Sequence, residues 1–369
     1  MYLPETDSIK IVEAIRGFNV HDKEVALIML GEKNKPDVDQ MIASLNEMGI
    51  EFLGGVFPGI IYGDKSYEQG AVVSVLPAVK TPYLIKGFNQ QKIQLPELGQ
   101  EVEGCTAIVL IDGLTSNIAF FLCELFNRLG QTVHYFGGGA GSLSLKQAPC
   151  LFTRGGFVQD AAVITFVQLK SNLGVRHGWE KVMTPFVATK TNKNVISELN
   201  WKNALQAYRE VVEADSGKKL SEKDFYSLSM SYPFGMFKEN AEDIVRDPIA
   251  TNEKGELICV GEVPQNSVLS ILRGNKASLI QAAGQAASDC QNLVGEKVSH
   301  CLVADCISRA LFLGEDFEKE LALVKQKIAT INDKCMPEGM LTLGEIASYG
   351  ERFLEFFNKT IVVALLQKF

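Results

Sequence analysis

The sequence predicts an α/β protein of two domains, with mixed sheets built from repeated strand–helix–strand units. Three observations carry this. An apolar run of strand length, a stripe at helical spacing and a short strand meeting paired glycines succeed one another near residue 25. The same order returns near residue 106. The chain has 369 residues, more than one ordinary core accommodates.

The first unit opens with Val25-Ala-Leu-Ile-Met-Leu30, a buried-strand pattern. Pro36 suits a helix start, and Val38, Met41, Ile42, Leu45 and Met48 recur at helical spacing. Gly49 stops the helix. Ile50 to Leu53 then runs into Gly54-Gly55, read as a turn, and Ala71 to Leu76 closes the unit. The second unit repeats this with Thr106 to Ile111, the helix face Ile118, Leu122, Leu125 and Leu129, the stop Gly130, and Gln131 to Phe136 before Gly137-Gly138-Gly139. Ala161 to Phe166 closes it. The duplication thus covers about 25–80 and 106–170. A strand on either side of each helix favours parallel pairing through right-handed crossovers, and polar hairpins after the glycines add antiparallel strands.

The hydrophilic stretch Asp215 to Leu220 reads as a domain boundary, giving domains at 20–215 and 220–369. Beyond it, Ile244 to Val263 reads as two strands around the turn Asn252 to Gly255. Lys276 to Gln291 is a helix rich in small residues, His300 to Ala304 a buried strand, and Phe317, Leu321, Val324, Ile328 and Ile331 a helical stripe. A glycine-bearing turn at Gly339 to Glu345 and a strand at Thr360 to Leu366 complete what resembles a third, degraded copy of the unit.

Composition narrows the function. The net charge is −8 and no Lys/Arg cluster is present, which argues against binding to nucleic acid. No apolar run reaches the ~20 residues of a membrane helix, and the first ten residues lack an export signal, so a cytoplasmic protein is expected. The eight cysteines form no CxxC pair and read as reduced core thiols. There is no GxSxG elbow and no HExxH. Asp112 ends a strand where ligand sites of α/β folds are found, although such an acid is more often a turn residue.

Several segments resemble those of one family. Met336 to Ile346 followed by Asn358-Lys-Thr360 resembles the C-terminal FIST domain. Cys306-Ile-Ser-Arg309 sits where that domain has its Cys-x-x-Arg segment, and Ser231 to Met236 with Val245-Arg-Asp-Pro248 resembles its opening. Phe136 to Gly141 and Val175 to Trp179 resemble the N-terminal FIST domain. One departure is Val56-Phe-Pro-Gly59, where many members carry a small Ser/Thr segment. The resemblance implies a sensor of a small-molecule ligand, without catalysis of its own, acting on a partner histidine kinase or cyclic-di-guanylate enzyme. One free-standing group of the family binds heme and senses nitric oxide, which makes heme the favoured ligand.

The candidate residues follow. Gly137, Gly138 and Gly139 can cradle an anion with backbone N–H groups, or serve packing. Arg309 can fork onto a ligand carboxylate, or form a structural ion pair, with Glu345 as its expected partner. Cys306 is a core thiol, or a nucleophile if Arg309 lowers its pKa. Glu345, Asn358 and Thr360 can line a polar pocket, or satisfy local backbone groups. For heme iron, His177 is preferred because it stands inside a family motif, with His134 second and His21 and His300 weaker. The alternatives to heme are an amino acid or other small carboxylate, and an enzyme using Cys306.

Overall fold

The computed structural model of the protein describes all residues except 91, 183–184, 222–224, 240–241, 291–297, 350–352 and 369. Among the described residues the strands form four sheets, three of six strands and one of nine.

Each six-stranded sheet is organised by one strand–helix–strand unit. In the first, the strand Glu24–Gly31 is buried along almost its whole length. Val25, Leu27 and Met29 face a shared central core, while Ala26, Ile28 and Leu30 face the unit's own helices. Asp37 caps the helix Val38–Glu47 by accepting the Gln40 N–H at 3.0 Å. Gly49, at φ 70°, lets the chain reverse. Phe52–Phe57 then runs parallel to Glu24–Gly31, and Ala71–Pro77 pairs antiparallel on its other side.

The second unit has the same plan. Thr106–Asp112 lies parallel to His134–Ala140 and antiparallel to Ala161–Val167, with the helix Ile118–Leu129 between the parallel strands. So has the third. Val298–Cys306 lies parallel to Pro337–Thr342 and antiparallel to Ile361–Gln367, with Phe317–Ala329 as the main crossover helix. The third copy is therefore complete in topology.

The three units exchange hairpins in a ring. Leu151–Thr153 of the second unit pairs with Phe52–Phe57 of the first. Glu345–Tyr349 of the third pairs with His134–Ala140 of the second. Gly59–Tyr62 of the first pairs with Pro337–Thr342 of the third. Each sheet turns one face to the common core and covers the other with helices.

This arrangement corrects the reading of the paired glycines. Gly54-Gly55 and Gly137-Gly138-Gly139 are not turns; they lie inside strands. Gly339 likewise sits within Pro337–Thr342, and the turn falls later, at Gly344 with φ 128°. Gly54, Gly137 and Gly339 occupy one equivalent position, opposite Ile28, Val109 and Val303 on the parallel neighbour. A Cβ at any of them would run into the carbonyl oxygen of that opposing residue. None has a positive φ, so close backbone approach, and not backbone angle, demands glycine.

The nine-stranded sheet is separate. Its path includes Val268–Arg273, Phe234–Met236, Ile244–Thr251, Leu257–Val260 and Val195–Leu199. The helix Ala204–Ser216 ends on Gly217 at φ 68°, where the sequence suggested a boundary. Three of the four sheets combine strands from before and after that point. No helix among the described residues is long and apolar enough to cross a membrane.

Candidate functional site

A cavity of about 680 Å³ opens where two units and the nine-stranded sheet meet. It lies beyond the carboxyl ends of Thr106–Asp112 and Val298–Cys306, where α/β folds place their ligands. Gly113 to Ala119 forms one wall, and Cys306, Ile307, Ser308 and Leu311 another. The nine-stranded sheet supplies Arg246, Asp247, Ile249 and Cys259 to Glu262, and the third unit's hairpin supplies Phe356 and Asn358.

Asp112 shapes the first wall without reaching the cavity. Its carboxylate accepts from the Leu114 N–H at 3.0 Å, the Asp160 N–H at 2.8 Å and the Gln147 amide at 2.8 Å. It is a turn residue, holding the loop that begins at Gly113.

The charged groups of the floor come from Val245-Arg246-Asp247-Pro248. Pro248 brings a register irregularity between itself and Ala250. Arg246 is only 6% exposed. Its Nε donates to the Glu262 carbonyl at 2.8 Å, and its Nη1 to the carbonyls of Val245 and Phe356 at 3.0 and 3.1 Å and to Asn358 Oδ1 at 3.4 Å. Nη2 makes no hydrogen bond among the described residues. Burial pushes the Arg246 pKa down, but a guanidinium starts so high that it stays charged.

Asp247, the next residue, is also buried, and neither of its oxygens makes a well-aligned hydrogen bond among the described residues. Burial pushes its pKa up, and the ammonium of Lys359, 3.1 Å from Oδ2, draws it back. Lys359 is itself fully buried at φ 50°. Its ammonium donates to the Met230 carbonyl at 3.0 Å and stands 4.9 Å from the centre of the Trp179 ring. Glu262 and Lys193 also line the cavity, so the charged groups among the described lining residues are two cations, Arg246 and Lys193, and two acids, Asp247 and Glu262, with Lys359 paired to Asp247 from outside the lining.

Of the residues singled out from the sequence, Cys306 and Asn358 reach the cavity. Arg309 does not: it is fully buried and forks onto Glu320, with Nη2 at 2.7 Å and Nε at 3.3 Å. It also lies 3.3 Å from Asp305 and donates to the carbonyls of His177, Leu279 and Lys359. Its ion pair is structural, and its partners are Glu320 and Asp305 in place of the expected Glu345. Glu345 is buried, 2.6 Å from the Thr342 hydroxyl and 3.3 Å from the Thr360 amide that donates to it. Glu345 and Thr360 thus join the third unit's strands to each other. Gly137, Gly138 and Gly139 are in mid-strand, and a Cβ at Gly138 or Gly139 would meet Thr342 or Gly113 and Leu343. Their N–H groups serve pairing and packing; Gly139 N–H, for example, donates to the Gly344 carbonyl at 2.7 Å.

The thiol of Cys306 is held protonated. Burial pushes its pKa well up, and Glu345 adds to the effect. This is the reverse of the activation that a nucleophilic role for Cys306 requires.

The two histidines do not fit heme iron at this cavity. His177 Nδ1 accepts the Trp179 N–H at 2.9 Å, and Nε2 faces Glu242 at 3.8 Å. With Nδ1 accepting, the proton belongs on Nε2, and neither nitrogen offers iron a lone pair. Burial also lowers the His177 pKa, which favours the neutral ring. His134 begins its strand beside Thr106, whereas the cavity lies past Asp112, about 20 Å along the strand. Neither histidine is among the described lining residues.

Sequence reasoning passed over Arg246 and Asp247 as functional groups. Their signal was present, as two adjacent charges after the apolar pair Ile244-Val245.

Comparison with known families finds two matches along the chain. Residues 25–202 match the FIST N domain, and residues 204–348 match the FIST C domain. The chain matches no curated protein.

Proposed function

Because the chain belongs to the FIST-domain proteins, whose domains are small-ligand sensors of signal transduction, we propose that the cavity floored by Arg246 is the sensory pocket and that its ligand is an amino acid or other small carboxylate. The observation that carries this is Arg246 itself. Three of its donor contacts are spent on backbone carbonyls, which fix the guanidinium plane, and Nη2 is left uncommitted on a buried wall. A buried guanidinium with an uncommitted N–H edge favours an anionic acceptor, and a carboxylate completes its hydrogen bonding.

The amino-acid alternative is preferred to heme because neither His177 nor His134 presents a nitrogen at this cavity. The pocket walls come from two different units and the nine-stranded sheet, so a bound ligand touches all three. Its binding energy biases their relative arrangement, and a partner histidine kinase or cyclic-di-guanylate enzyme reads the bias.

Titration calorimetry with a panel of carboxylates tests the reading. We expect at least one to bind, and Arg246→Gln to weaken it by at least about 30-fold, the consequence of unpairing a buried charge. Binding by Arg246→Gln equal to that of the wild type would overturn it.

A further inference from the structure

The deepest polar groups of the cavity are Arg246, Asp247 and Asn358, which are 6%, 1% and 2% exposed. Its rim carries three exposed leucines, Leu143, Leu311 and Leu145, at 40%, 47% and 56%, beside the exposed Ser116 and Lys193. All of these residues line the same space. Leu145 also holds a φ of 53°, a conformation that leucine adopts at a cost, in a turn closed by its N–H donating to the Ser142 carbonyl at 3.0 Å. The turn therefore keeps a large apolar side chain at the rim, where solubility alone would favour a polar one.

We infer that the ligand is an amphiphilic monocarboxylate, bound head first with its carboxylate on Arg246 and a large aromatic or aliphatic body filling the cavity toward Leu145 and Leu311. The inference rests on the carboxylate reading above and narrows it. A cavity of about 680 Å³ is in the range of drug-sized ligands. A minimal head such as glycine or acetate fills a small part of it and leaves the leucines wet. A second carboxylate, as in glutamate, would have Lys193 as the one other cation among the described lining residues, and away from it would lie against apolar walls. An apolar body removes those walls from water and gains affinity in proportion to the area covered.

The test compares phenylalanine and 3-phenylpropanoate with glycine, acetate and glutamate, by calorimetry on the full chain. The phenyl compounds are expected to bind at least tenfold more tightly than the other three. Leu145→Ser and Leu311→Ser, both at exposed positions, are expected to lower affinity for 3-phenylpropanoate at least threefold, and for acetate by less. Equal affinity for acetate and 3-phenylpropanoate overturns the inference and leaves the carboxylate pocket standing. Equal affinity for 2-phenylethanol and 3-phenylpropanoate overturns the carboxylate reading itself. The arms with and without an amino group decide whether the head is an amino acid or a simple acid.

Discussion

Glu345 shows how a single buried group ties the fold to pH. Its carboxyl is sealed between the strands of the third unit, and burial raises its pKa to about 8, against the pull of Thr342, Thr360, Cys306 and Arg309. The contacts agree with a protonated acid. The Thr342 hydroxyl lies 2.6 Å from Glu345 Oε1 and 3.4 Å from the Asp305 carbonyl, yet carries one proton. Both contacts are satisfied when Glu345 supplies the second. In the unfolded chain the carboxyl ionises near its ordinary value of 4.5. Between that value and about 8, the native state holds a proton that the unfolded state has lost. The folded pKa is raised, so stability falls as pH rises through this window, by up to about 1.4 kcal/mol per pH unit. Glu345→Gln removes the titration. Thermal melts from about pH 5 to about pH 8 should show the wild type losing stability relative to Glu345→Gln as pH rises. A constant difference between the two across that range would mean that Glu345 titrates normally.

At the level of elements, the glycine-bearing strand is the feature repeated three times. Gly54, Gly137 and Gly339 each let a parallel neighbour's carbonyl approach where a Cβ would stand. Each also pairs with a strand received from another unit, opposite Phe152, Ile346 and Ile61. Gly137→Ala should therefore cost about 1–3 kcal/mol through forced displacement of a packed strand. Gly156→Ala is a suitable contrast for space, since nothing surrounds that position, although its φ of 115° brings strain of its own. Denaturant unfolding of Gly137→Ala indistinguishable from that of the wild type would contradict this account. The strands and helices were legible in the sequence because period and burial are local. The role of the glycines was not, because the contact that demands them is made by Val109, Val303 or Ile28, far away in the chain. The site was half legible for a similar reason. Arg309 and Arg246 both follow apolar runs, and only the fold shows that Glu320 and Asp305 consume the first while one nitrogen of the second makes no hydrogen bond among the described residues. The adjacency of Arg246 and Asp247 hid their separate pairings.

Across the whole molecule, the ring of exchanged hairpins decides how the chain can unfold. Removing the third unit takes Glu345–Tyr349 and Phe353–Phe357 from the second unit's sheet, and leaves Gly59–Tyr62 without its neighbour Pro337–Thr342. It also strips Lys170–Arg176 of its partner Ile361–Gln367. Each loss exposes an edge strand whose other face is apolar, an arrangement prone to misassociation. The central core draws on all three units and on the nine-stranded sheet, with Leu27, Leu110, Ala304 and Phe234 in one continuous cluster. No unit keeps a complete core when the others are gone. The protein should consequently unfold in one cooperative transition, despite a length at which separate domains often melt apart. Calorimetry and circular dichroism should give coincident curves, with a calorimetric enthalpy equal to the van't Hoff value. The pocket walls belong to this same cooperative structure, so a bound carboxylate should raise the whole transition together. Two resolved transitions, with ligand shifting only one, would show that the shared core does not couple the units, and the sensor's output would then have to arise within a single unit.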